Sequence, residues 1–100
     1  MKVNITAQAK AEMLQIGEWI ERDNPFRAAT FVDELYEACL ELGSMAQAFP
    51  LLQRHEETGI RRRVVGNYLI FYYVLKDCVE VIHILHGARD YEAILFPEPA

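Results

Sequence analysis

The chain has 100 residues, 52% of them hydrophobic and 25% charged, a balance that fills one compact core, leaves no room for a second domain and excludes a disordered or fibrous chain. Its net charge of -5 and its sequence pI of about 5.1 weigh against a protein whose main task is to grip phosphate backbones. No apolar run approaches the roughly 20 residues that span a bilayer, and residues 1–10 lack the apolar centre of a secretory signal, so a cytoplasmic location is expected.

The opening Lys2-Val3-Asn4-Ile5 alternates polar and apolar residues, the period of a half-buried strand. Thr6 then offers a hydroxyl cap to a helix whose apolar stripe is Ala9, Met13, Ile16 and Ile20, running to about Asp23. Asn24-Pro25 ends that helix and starts another, because proline pushes its predecessor out of helical geometry yet suits a first helical position. The second stripe is Ala28, Val32, Leu35, Cys39 and Leu42, with Gly43 as the expected terminator. So short a link predicts an antiparallel helical hairpin.

Residues 44–59 lose this period and read as a loop with a helical turn. Residues 60–65, 68–75 and 79–86 are rich in branched and aromatic side chains and are separated by Gly66-Asn67 and Lys76-Asp77, which predicts three strands joined by tight hairpins. The class is therefore α+β, in the order strand-helix-helix-strand-strand-strand, with the hairpin packed on one face of a mostly antiparallel sheet. Residues 68–74 are apolar on both faces, so the second face also calls for cover. Residues 89–100, with Pro97 and Pro99, read as a tail ordered in part, or ordered by a partner.

Thr6, Ala9, Met13, Ile16, Trp19 and Ile20, then Asn24-Pro25 with Ala28-Ala29 and Phe31, resemble the ParE toxins of bacterial toxin-antitoxin modules. Pro50, Gly59 with Arg61, Tyr68-Leu69-Ile70 with Tyr72, and the closing Ile84-Leu85-His86-Gly87-Ala88-Arg89-Asp90 extend the resemblance over nearly the whole chain. It implies a RelE/ParE-like fold and a non-enzymatic toxin, without cofactor, that poisons DNA gyrase. It further implies a heteromeric complex with a ParD-like antitoxin whose carboxy-terminal segment docks along the toxin. Neither membrane attachment nor specific DNA binding by the toxin alone is expected.

Two alternatives stay open: a RelE-like ribosome-dependent ribonuclease, and a non-toxic interaction module. Cleavage needs cations on the scissile phosphate and groups that move protons. Arg61, Arg63 and Arg89 could supply the cations, but the position of the tyrosine found in RelE relatives is Leu95, with Tyr91 out of register.

Half the basic residues of positions 51–100 form one run, Arg61-Arg62-Arg63, in which Arg61 and Arg63 share a strand face. Guanidinium binds carboxylate bidentately and keeps its charge when partly buried, so Arg61 and Arg63, with Arg89, are candidate contacts for an acidic antitoxin segment. Trp19 and Phe31 are the candidate aromatic contacts, set against the plainer reading of helical aromatics as core. By resemblance, Arg89, Asp90 and Tyr91 are candidates for the target surface. His83 and His86 stand on opposite strand faces and do not make a metal pair, and Cys39 and Cys78 read as reduced core or near-core thiols.

Overall fold

In the computed structural model, which describes residues 1–98, the chain runs β1 (Lys2–Ile5), α1 (Ala7–Glu21), α2 (Pro25–Met45), β2 (Arg61–Val65), β3 (Tyr68–Val74), β4 (Cys78–His86) and α3 (Tyr91–Leu95). A 3-10 turn occupies Glu56–Thr58. The expected order and α+β class are those observed; residues 99 and 100 of the expected tail lie outside the described residues.

Both long helices begin at the caps their sequences offer. The Thr6 hydroxyl accepts from the Ala9 N–H at 3.2 Å, and the Asn24 side-chain oxygen accepts from the Arg27 N–H at 3.0 Å, each satisfying a donor that a helix start leaves free. In α1 the buried residues are Ala9, Glu12, Met13 and Ile16; in α2 they are Ala28, Phe31, Leu35, Ala38, Cys39 and Leu42. Phe31 and Ala38 thus join the core side of α2, and Val32, expected there, is half-buried against the core and close to Gly17 of α1. Gly43 does not end α2. The helix runs on to Met45, and the backbone of Met1 lies against Gly43 where a Cβ would not fit.

The sheet order is β1-β4-β3-β2. β1 lies parallel to β4 through Ile5↔Val81, and the two hairpins make the rest antiparallel. Gly66 turns the first hairpin with φ 58°, a left-handed conformation that glycine adopts without strain. The hairpin of helices covers one face, where Leu35, Leu42, Ile70, Tyr72, Val79 and Val81 are fully buried.

The second face is covered by the chain itself. Tyr91, Ile94, Leu95 and Phe96 pack on Leu52, Ile60, Leu69, Phe71 and Leu85. This corrects the expectation that a partner must supply that cover: the tail through Phe96 carries apolar residues at helical spacing, and the Asp90 carboxylate caps α3 by accepting from the Ala93 N–H at 3.3 Å. His55 and Arg54 hold α3 from outside, through Glu92, at 3.1 and 3.0 Å, and His55 stacks on Phe96 with ring centroids 4.2 Å apart.

Candidate functional site

Trp19 stands one position short of Ile20 on α1 and about 100° around the helix from it, off the buried stripe. It is 62% exposed, a large apolar surface left in water. The Arg22 guanidinium lies 5.3 Å from its ring centroid, one helical turn on. Tyr68 and His86, opposite one another on β3 and β4, face it from the sheet, their rings edge to face at 5.1 Å. Burial pushes the Tyr68 phenol above its ordinary range, so it remains a neutral donor.

Trp19 separates two concavities. One, of about 430 Å³, is bounded by Ile16, Trp19, Tyr68, Ile84, His86 and Arg89. The other, of about 380 Å³, is bounded by Trp19, Asp23, Phe31, Gly66, Tyr68 and His86. Volumes of this size accept one or a few side chains of a partner.

Glu12 forms one wall of the larger concavity, and its charge is already engaged. Its carboxylate takes the Ile84 N–H at 2.8 Å on one oxygen and meets His83 Nδ1 at 2.8 Å on the other. His83, partly exposed on β4, is therefore also the partner of a buried acid. His86 faces its own turn, its Nδ1 accepting from the Ala88 N–H at 3.0 Å. The sequence reading passed over Glu12, although its place on the stripe with Ala9 and Ile16 marks it as an acid that must find a partner indoors.

Trp19, Phe31 and Arg89 are gathered at this end of the sheet, Trp19 shared between the two concavities. Phe31 is a core residue, 6% exposed, tilted on Tyr68 at 5.4 Å. Arg61 and Arg63 lie elsewhere, on β2, and both turn inward on the hairpin side. Arg61 donates to the Phe49 carbonyl at 2.6 Å; Arg63 donates to the Ala38 carbonyl at 2.9 Å and pairs with Glu41 at 2.9 Å. Arg63 thus finds a carboxylate within its own fold, because α2 places Glu41 one turn beyond the carbonyl that holds it.

Arg89, Asp90 and Tyr91 follow one another but have different neighbours. Arg89 is exposed at the mouth of the larger concavity, Asp90 caps α3, and Tyr91 packs on Phe71 at 5.3 Å. Leu95 belongs to the apolar cluster under α3. Cys39 is buried, which pushes its thiol up to about 12, and neither cysteine is in a disulfide. Among the described residues no group of three His, Cys, Asp or Glu could hold a metal ion, and no helix is long and apolar enough to cross a membrane.

Comparison with known proteins bears on the whole of this arrangement. No curated protein sequence matches the chain. A solved chain from the chromosomal ParDE TA system of P. aeruginosa superposes with a TM-score of 0.74 at 18% identity, covering 86% of this chain and 95% of that one, which is a likeness of fold. The family model for the ParE toxin of the type II toxin-antitoxin system parDE matches residues 3–91, from β1 through the Arg89 turn, and this chain belongs to that family.

Proposed function

We propose that this chain is a toxin that acts by binding a protein target, DNA gyrase, in the cytoplasm, and that a ParD-like antitoxin neutralises it by covering the Trp19 groove. The observation that carries the reading is the groove itself. A tryptophan 62% exposed between two concavities, with Arg89 exposed at the mouth, has the aromatic anchor, the concave wall and the charged rim that binding hot spots combine.

A non-catalytic mode is supported by the placement of the cations. Arg61 and Arg63 are held by carbonyls near the far edge of the sheet, whereas Arg89 follows β4 beside Tyr68. Phosphate cleavage asks for cations and proton-transfer groups converging on one point. Protein binding asks only for a complementary surface.

Inducing the chain in cells tests this directly. The expected outcome is growth arrest relieved by co-expressed antitoxin, with inhibited supercoiling and accumulated gyrase-DNA cleavage complexes when the purified chain is added to gyrase. Codon-specific cutting of ribosome-bound message by the purified chain would replace this reading with the ribonuclease one.

A further inference from the structure

We propose that the free edge of β2 at Val64 takes an extended, basic segment of a protein partner, which adds a strand to the sheet and lays cationic side chains against the acidic outer face of α2. This edge closes the sheet on the side opposite β1 and does not include Trp19. The inference is therefore independent of the Trp19 groove and of the toxin reading.

The edge is open because of two local features. Val65↔Tyr68 closes the two-residue turn Gly66-Asn67, so by antiparallel alternation Arg61, Arg63 and Val65 bond β3, while Arg62 and Val64 turn their backbone groups outward. The chain covers the first part of that edge itself: the Arg62 N–H donates to the Pro50 carbonyl at 3.1 Å and the Leu52 N–H to the Ile60 carbonyl at 2.8 Å. Pro50 ends this pairing, because proline has no N–H to return to the Arg62 carbonyl. Beyond it, among the described residues, the Arg62 carbonyl and both backbone groups of Val64 have no partner. The Val64 side chain is exposed as well. An edge of this kind is a template for another strand.

The side chains around the edge decide what fits. A residue facing Val64 shares its sheet face, that of Leu69 and α3, and the residues on either side of it stand on the face of the helical hairpin, as Arg63 and Val65 do. On that face a groove of about 560 Å³ lies between β2 and α2, bounded by Val64 and Val65 on one side and by Asp33, Glu34, Glu37 and Glu41 on the other. Glu34 pairs with Arg27 at 3.0 Å and Glu41 with Arg63 at 2.9 Å. Among the described residues, Asp33 and Glu37, both exposed, are in no ion pair.

Two unengaged carboxylates beside a free strand edge select lysine or arginine at alternate positions, flanking an apolar residue that covers Val64. Arg62 stands on the opposite sheet face from those cations, opposite Phe71, and does not repel them at contact. A second copy is a poor occupant. Two-fold antiparallel pairing of β2 with itself would set two α2 helices side by side on one face, acid against acid, between chains that each carry a net charge of -5.

The test uses the purified full chain and three short capped peptides: one alternating lysine and valine, one alternating glutamate and valine, and one with the lysines and valines of the first regrouped into two blocks. The alternating lysine peptide should bind at least about tenfold more tightly than either control in calorimetric titration, with an affinity that falls as salt is raised. Hydrogen exchange at the Val64 amide should slow in its complex, while the Trp19 indole resonance stays where it is. Asp33→Asn combined with Glu37→Gln changes only exposed positions of α2, so the variant should melt with the parent and bind about tenfold more weakly. Equal binding of the glutamate or the blocked peptide, unchanged exchange at Val64, indifference to the double variant, or failure of all three peptides to bind would each overturn the proposal. So would dimerisation of the chain alone that protects the Val64 amide, because a second copy would then hold the edge.

Discussion

Glu12 shows how a single buried charge can shape a surface site. Its carboxylate takes the Ile84 N–H on the side of β4 that lies beyond β1, and it meets His83 along the same stretch. Glu12→Ala leaves that buried N–H without a partner and should cost about 1–3 kcal/mol of stability, read from urea denaturation. Glu12→Gln keeps an oxygen for Ile84 and should cost less. Arg61 and Arg63 call for a different expectation from the one their sequence invites. Because both donate to carbonyls of the segments that cover β2, replacing them together with alanine should destabilise the fold by about 1–3 kcal/mol. A double variant that melted with the parent but bound antitoxin weakly would restore them as rim contacts.

Among the elements, α2 and α3 cover opposite faces of the sheet with unequal security. Leu35 is fully buried at the middle of α2, so Leu35→Asp places an unpaired charge in the core and should abolish cooperative thermal unfolding. α3 is a helix of 5 residues held by apolar contacts, by its Asp90 cap and by the ion pairs of Glu92. His55, through its hydrogen bond to Glu92, and then Arg54 hold the Glu92 carboxyl below the usual carboxylate range. A depressed native pKa contributes stability above the carboxylate's unfolded pKa, and the contribution is lost as pH falls through the native one. Protection of the Tyr91–Leu95 amides, measured relative to their intrinsic exchange rate at each pH, should therefore fall on acidification below the ordinary carboxylate range, and Glu92→Gln should flatten that dependence.

At the scale of the molecule, cations mark the binding groove of a chain whose net charge is -5. The hairpin of α1 and α2 carries most of the acidic side chains, yet the ends of the Trp19 groove are marked by Arg22 and Arg89. Trp19 projects from α1 without supporting the core, which separates folding from binding. Trp19→Ala should shift stability by no more than about 0.5 kcal/mol while weakening the antitoxin complex by about 2 kcal/mol or more, measured by melting and by calorimetric titration. Equal binding by parent and variant would move the antitoxin site away from this groove.

The sequence by itself determined the elements, because caps, apolar period and turn residues act within a few positions of one another. Thr6, Asn24-Pro25 and Gly66 start or turn the elements where their chemistry predicts. The family was equally legible, from residues spread along the chain from Thr6 to Asp90. Only the tertiary structure decided which polar groups were still available. It engaged Arg63 with Glu41, buried Phe31 more deeply than Val32, continued α2 through Gly43 and laid α3 over the second face. It also left the edge of β2 open at Val64. The physical reason is range: a cap or a stripe is set by neighbours in sequence, whereas a satisfied arginine or an open strand edge depends on groups brought together from distant parts of the chain.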